Sequence, residues 1–228
     1  MAAPAPRSQR LISVVGQAPG LGGVRRAAMR ATRVSHRLPA AVVPVREELP
    51  HLLNTRGLLG CGAEIGVKRG EYSEYLLSTW EGRHLISVDP WAEAPAEDYV
   101  DVANVAQNEH DRFHAMTVGR LERFGERSSV WRMFGSEAAG RLPHHCLDFV
   151  YLDARHDRES VTEDLELWAP KVRPGGVIAG HDYVDGMFPE GDFGVRTAVD
   201  AFFAAREWRV RSTFADPPWF SWWVPVPR

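Results

Sequence analysis

The sequence has little cysteine, no long apolar run, and an opening segment without a single acid. Two cysteines in 228 residues, Cys61 and Cys146, make neither a disulfide framework nor a zinc-ligand spacing, so a reducing, cytoplasmic setting is the expectation. No stretch approaches the roughly 18 apolar residues that span a bilayer, and an integral membrane segment is not expected. No uninterrupted apolar core follows a charged start, so the secretory pattern is missing as well. Acids are absent from residues 1–46, which carry eight arginines, whereas residues 47–228 carry 19 basic against 30 acidic residues, a balance of −11. An acidic body gives no electrostatic footprint for nucleic acid.

Two regions follow from this asymmetry. Residues 1–46 form a basic extension punctuated by Pro4, Pro6, Pro19 and Pro39, most helical from Val24 to Leu38. It suits a loosely docked tail, an organelle-targeting peptide, or a contact with an anionic membrane or partner, and these stay open. Residues 47–228 form the folded domain, and the 44% hydrophobic content of the chain suffices for the core of one α/β domain.

What is present centres on Asp148–Tyr183. Two short apolar runs, Phe149–Leu152 and Val177–Ala179, each end in acids and histidines: Asp153, His156 and Asp157 after the first, His181 and Asp182 after the second. Between them Val161, Leu165 and Trp168 recur at helical spacing, closed by Pro170 and the Pro174–Gly176 turn. Strand, helix, strand is the unit of a parallel sheet, and ligands of such sheets sit beyond the carboxyl ends of the strands. Neighbouring strands lie about 4.8 Å apart, so these side chains are positioned to share one ion or one substrate. Capping of the helix by Asp153 and Asp157 is the plain structural alternative.

Upstream, Glu64-x-Gly66-x-x-x-Gly70-x-x-Ser73 spans a strand end and a helix start. Gly66 permits a tight turn and close ligand approach, Gly70 lets the next helix begin against it, and Glu64 is placed to receive an ammonium. The competing dinucleotide fingerprint begun by Gly60-x-Gly62 fails, because its third glycine position is Ile65. His84–Asp89 reads as the second strand, ending in the acid that nucleotide-binding α/β folds direct at ribose hydroxyls. Trp91 either covers an adenine or anchors the irregular acidic stretch that runs to Asp101. Val105–Phe124 is helical, and its His110 and His114 have a metal-pair spacing but no third ligand nearby, so a solvated helix face is expected. Val130–Phe134 reads as the third strand, with Ser136 as a polar contact or the N-cap of the next helix. Residues 184–194 read as a loop over the site, whose Asp185 and Asp192 are solvated or add a ligand. Val195, Val199, Phe202 and Phe203 mark a buried helix face, and Trp208–Phe214 with Trp219–Val224 form two closing strands.

The Glu64–Ser73 pattern resembles the first motif of class I S-adenosylmethionine-dependent methyltransferases. Adding Asp153, His156, Gly175–Gly176 and Gly180–Tyr183, residues 58–226 resemble the small metal-dependent O-methyltransferases of the macrocin and mycinamicin sugar type, and more distantly the caffeoyl-CoA O-methyltransferases. That resemblance implies a Rossmann-like α/β fold with seven strands ordered 3-2-1-4-5-7-6, strand 7 antiparallel. It implies S-adenosyl-L-methionine as cofactor, held by Glu64, Gly66, Gly70, Ser73, Asp89, Trp91, Ser136 and, through the methionine ammonium, Asp153. It implies Mg²⁺ or another divalent metal on Asp153 and Asp182, with His156 as general base. His181 stands where the sugar enzymes have an acid. As a third ligand it shifts preference towards Mn²⁺, Fe²⁺ or Zn²⁺; as a catalytic group it touches substrate or cofactor without metal. The implied acceptor is a small-molecule hydroxyl, and the lack of a large cap domain fits either a small acceptor or a homo-oligomer that completes the pocket. A cephalosporin-hydroxylase-like metal oxygenase and a non-catalytic nucleoside-binding protein are the alternative readings.

Overall fold

The structure, a computed structural model, describes residues 42–95 and 101–228. The expected helix over 24–38 and residues 96–100 of the acidic stretch lie outside the described residues. Apolar runs and helical periods alternate along the chain, and so do the elements. The strands are β1 (Cys61–Ile65), β2 (His84–Asp89), β3 (Ser128–Arg132), β4 (Leu147–Leu152), β5 (Val172–Gly180), β6 (Asp185–Phe188), β7 (Gly191–Gly194), β8 (Arg211–Ser212) and β9 (Trp222–Pro225). The helices are α1 (Leu49–Thr55), α2 (Glu71–Thr79), α3 (Gln107–Leu121), α4 (Gly135–Arg141), α5 (Arg158–Trp168) and α6 (Val195–Ala204). Among the described residues, no helix is long and apolar enough to cross a membrane.

Seven strands form one sheet in the order β3-β2-β1-β4-β5-β9-β8, parallel through β5, with β9 antiparallel to both of its neighbours. This is the expected order with one addition. Residues 184–194 are not an open loop but contain the antiparallel hairpin β6–β7, which makes the closing strands eighth and ninth in the chain. Phe188 and Phe193 explain the hairpin: their rings meet edge to face at 5.4 Å, and Phe193 is buried. The expected strand over 208–214 shrinks to Arg211–Ser212, because the N–H groups of Phe214 and Ala215 turn away to the Pro44 carbonyl. Residue by residue, β2 matches its expected bounds, whereas β3 begins two residues early.

β4 shows why its sequence is continuously apolar. Phe149 and Tyr151 face a layer with Leu53, Leu76 and Trp80, while Val150 and Leu152 face Leu165, Trp168 and Phe203. A strand buried on both faces loses the polar alternation of a half-exposed one. Adjacent Trp222 and Trp223 are divided between the same two layers, so the C-terminal tryptophans are core. In α5 the periodic Val161, Leu165 and Trp168 are all buried. Asp157 caps this helix, its Oδ1 accepting from Ser160 N–H at 2.9 Å, whereas Asp153 does not cap it and is left for the site.

Candidate active site

Register brings the site residues to one level. Ile65 pairs with both Val88 and Leu152, and Leu152 pairs with Gly180. The next residue on each strand (Gly66, Asp89, Asp153 and His181) therefore emerges on the same edge of the sheet. β1 and β4 are the point where the strand order reverses, which is where open α/β sheets leave a crevice. A cavity of about 750 Å³ opens there, and all of these residues line it.

The β1–β2 end is built from backbone groups. Gly66 has φ +85°, and a Cβ on it would fall 2.0 Å from the Asp153 carbonyl oxygen, so only glycine fits. Gly70, at φ +71°, is the N-cap of α2. Asp89 Oδ2 accepts from the Val67 and Lys68 N–H groups, both at 2.9 Å, and its Oδ1 accepts from Trp91 N–H at 2.7 Å. Glu64 is 1% exposed and accepts the Ser73 hydroxyl proton, while the Ser73 and Ser87 hydroxyls lie 2.9 Å apart. Burial pushes the Glu64 carboxyl up to about 8, with the Ser73 hydrogen bond opposing it. Ser73 thus supports Glu64 from beneath. Trp91 is fully buried and donates its indole N–H to the Lys68 carbonyl at 2.7 Å, the geometry of a loop anchor. Ser136 lies in the first turn of α4, one residue past the helix start, with Phe134 in the N-cap position.

The β4–β5 end is built from charged side chains. One ligand atom each from Asp153, His156 and Asp182 lie within 4.8 Å of one another. His156 Nδ1 is 2.9 Å from Asp101 Oδ2, and its Nε2 is 3.1 Å from Asp182 Oδ2. Its ring stacks on Phe193 at 4.4 Å. Burial alone lowers the His156 pKa, but the hydrogen bonds to Asp101 and Asp182 override it and lift it to about 10. Burial raises Asp182, and the His156 hydrogen bond with the nearby His181, His156 and Arg46 charges brings it below the usual carboxylate range. Asp182 itself sits at φ +51°, which aims its side chain from a strained corner. His181 stands apart from the converging trio. Its Nδ1 is 2.9 Å from the buried Ser221 hydroxyl, and its Nε2 is 3.6 Å from Asp182 Oδ1. His156, expected as the general base, is the histidine whose ligand atom converges with those of Asp153 and Asp182.

Two groups at this end carry no sequence signal. Arg46, the last residue of the basic extension, places Nη1 3.6 Å from Asp153 Oδ2 and lies over the Tyr72 ring at 5.0 Å. Asp101 is 55 residues from the imidazole it holds. The His110/His114 pair is not a solvated face: His110 lines the cavity, and His114 packs 4.7 Å from Trp91. Asp185 accepts from the Thr197 N–H and hydroxyl, both at 2.9 Å, and serves α6.

Sheet order, switch-point cavity and glycine turn define a class I, Rossmann-like methyltransferase fold. The model of a methyltransferase-domain family matches residues 63–183, more than half of the chain, and the chain belongs to that family. Solved structures repeat the fold. An O-methyltransferase from Bacillus cereus in complex with S-adenosylhomocysteine aligns at TM-score 0.56 and 16% identity, covering 87% of this chain and 89% of that one. TomG from Streptomyces achromogenes, an O-methyltransferase involved in tomaymycin synthesis, aligns at 0.56 and 19%, covering 84% and 86%. A precorrin-6y C5,15-methyltransferase from Geobacter metallireducens aligns at 0.52 and 11%, covering 78% and 87%. At these identities the likeness is one of fold. No curated protein matches the chain.

Proposed function

We propose that the protein transfers a methyl group from S-adenosylmethionine to a hydroxyl of a small molecule, with a sugar hydroxyl as the leading acceptor. The observation that carries this reading is the cluster of Asp101, Asp153 and Asp182 around the His156 imidazole, facing the switch-point cavity. Asp153-x-x-His156 with Asp182 also carries the resemblance to the sugar-type enzymes.

The residues at the β1–β2 end fit the cofactor. Gly66 holds the turn against the Asp153 backbone at the cavity wall, and Glu64, with Asp153 across the switch point after β4, offers a carboxyl acceptor for an ammonium group. Asp89 uses three acceptor positions on backbone N–H groups. A carboxylate has about four, so one is left for a ribose hydroxyl. When bound, S-adenosylmethionine supplies an electrophilic methyl on a positively charged sulfur.

The protein's own task is to hold an oxygen in line and take its proton. Asp101 accepts from Nδ1–H of His156, which makes Nε2 the basic nitrogen, on the Asp182 side. Without ligands, Asp182 and Asp101 hold a second proton on the ring. Positive charge resting against Asp153 and Asp182 opposes that proton and lowers the His156 pKa towards neutrality, where Nε2 accepts the hydroxyl proton. In the alternative arrangement, with Nε2 as a ligand instead of the base, Asp153, His156 and Asp182 would hold a divalent cation that supplies Lewis-acid activation of the hydroxyl. An imidazole beside two carboxylates favours Mn²⁺, Fe²⁺ or Zn²⁺ relative to Mg²⁺. Family membership supports methyl transfer over the oxygenase reading.

Titration calorimetry with S-adenosylhomocysteine, with and without Mn²⁺ or Mg²⁺, is the test. Binding that is lost in Asp89→Ala and kept in Asp182→Ala is expected. Absence of binding to the unaltered protein under every condition would remove the proposal, and iron- and oxygen-dependent turnover would replace it.

A further inference from the structure

Outside the crevice, three arginines crowd together without a carboxylate. Arg211 on β8 pairs with Trp223 on β9, so both side chains stand on one face of the sheet. The Arg211 guanidinium lies over the Trp223 ring at 4.6 Å, and that of Arg56, the residue after α1, lies over the same ring at 5.7 Å. Arg228 completes the group. Burial first, and then the charges of Arg211 and Arg228, pull the Arg56 guanidinium below its ordinary value. Arg228 also borders Arg173: a Cβ on Gly175 would lie 3.6 Å from Arg228 Cγ and 3.8 Å from Arg173 Nη1. Asp148 gives no relief, because it is taken by Arg173 Nε at 2.5 Å and by the Gly60 N–H. Among the described residues, Arg56, Arg211 and Arg228 have no ion-pair partner, and Arg211 Nη1 is buried with no hydrogen-bond acceptor. Elsewhere two arginines that meet share an acid: Arg120 and Arg123 lie 2.8 and 2.9 Å from Glu74.

Like charges held together and a donor withdrawn from water are both costly, and one anion removes both costs. A guanidinium over a ring spends its face on the indole and keeps its N–H edges for acceptors in its own plane. Trp223 is buried, so it forms the floor and the arginine edges form the contact surface. We propose that Arg56, Arg211 and Arg228 form a second binding site, which takes a phosphate monoester. A carboxylate brings a single charge, whereas a phosphate monoester brings about two charges and three strong acceptor oxygens, enough to meet three guanidinium groups. The site adjoins Gly175, in the first half of β5, while the crevice opens beyond Gly180 at the end of that strand. It is therefore separate from the site of methyl transfer. Soluble phosphoesters and lipid headgroups share this chemistry, and the experiment separates them.

The full chain is titrated by calorimetry with inorganic phosphate and with glycerol 3-phosphate, at an ionic strength held constant with chloride. In parallel it is co-sedimented with phosphatidylcholine vesicles with and without phosphatidic acid. Saturable binding of the soluble phosphates, or sedimentation that needs phosphatidic acid, is expected and identifies the source. Arg211→Gln is expected to weaken that binding at least about tenfold, since it removes the buried donor. Arg56 and Arg228 are exposed, so Arg56→Gln and Arg228→Gln spare the core; each is expected to weaken binding about three- to fivefold. Absence of binding in both arms, or binding undiminished in all three variants, would overturn the inference.

Discussion

At the β1–β2 end of the cavity, the polar groups are satisfied by one another; at the β4–β5 end, charges are held against one another. Asp89 takes three backbone N–H groups, and Glu64 rests on Ser73. His156 instead lies between two carboxylates, with Asp153 and Arg46 beside them. The first arrangement fixes a shape before a ligand arrives. The second sets opposite charges side by side, with His156 between Asp101 and Asp182. Under the proposed function, binding and chemistry are separated along one crevice, and substitutions should separate them too.

The largest expected effect is on chemistry alone. His156→Gln should lower methyl transfer by about 10²- to 10⁴-fold, while S-adenosylhomocysteine affinity changes by no more than about threefold. Single-turnover transfer of labelled methyl, read beside calorimetry, checks both halves. A matching loss of affinity would mean that the two ends are not separable.

Next comes the shape of the β1–β2 end. Gly66→Ala should destabilise the protein by about 2–3 kcal/mol in urea unfolding and abolish S-adenosylhomocysteine binding, since its Cβ meets the Asp153 carbonyl oxygen at 2.0 Å. Stability within about 0.5 kcal/mol of the parent would refute the close approach.

The pH dependence of stability should fall in two windows. Glu64 binds its proton more tightly folded, at about 8, than unfolded, near 4.5, so its contribution is present at acid pH and is lost as pH rises from 4.5 through 8. Glu64→Gln should therefore gain stability relative to the parent over that range, by at least about 1 kcal/mol at pH 8. His156 has the same sign in a later window: its stabilisation is full below 6.5 and is lost as pH rises through 10. Unfolding curves at half-unit pH steps for the parent, Glu64→Gln and His156→Gln measure both windows. A parent-minus-variant difference that stays flat from pH 5 to 8 would contradict the buried Glu64.

The smallest effect concerns the loop. Trp91→Phe keeps the buried ring and loses the hydrogen bond to the Lys68 carbonyl, for about 1 kcal/mol. Denaturant midpoints suffice to detect it.

Gly66, Asp89, Asp153 and Asp182 were legible because each ends or follows a strand whose apolar run is visible in a few residues. The β6–β7 hairpin was not, because Gly186, Pro189 and Gly191 read as turn residues. Only the packing of Phe188 and Phe193 rings makes them a strand pair. Trp91 left two meanings open, and its indole bond to the Lys68 carbonyl in the turn after β1 gives it an anchoring role at the cavity wall. His181 and His156 look alike as residues that follow acid-tipped strands. Ser221, next to β9 beside β5, pairs with His181 Nδ1, whereas the His156 ring converges with Asp153 and Asp182.

The sequence by itself determined the alternation of strands and helices and the level at which the four strand ends release their functional residues. Those are short-range matters of period and turn, and the register carries them across the sheet. The tertiary structure alone decided that Asp101 and Arg46 join the site and that His156 comes to lie between two carboxylates. Charge state and convergence depend on burial and on distances between segments far apart in the chain, and no local pattern encodes either.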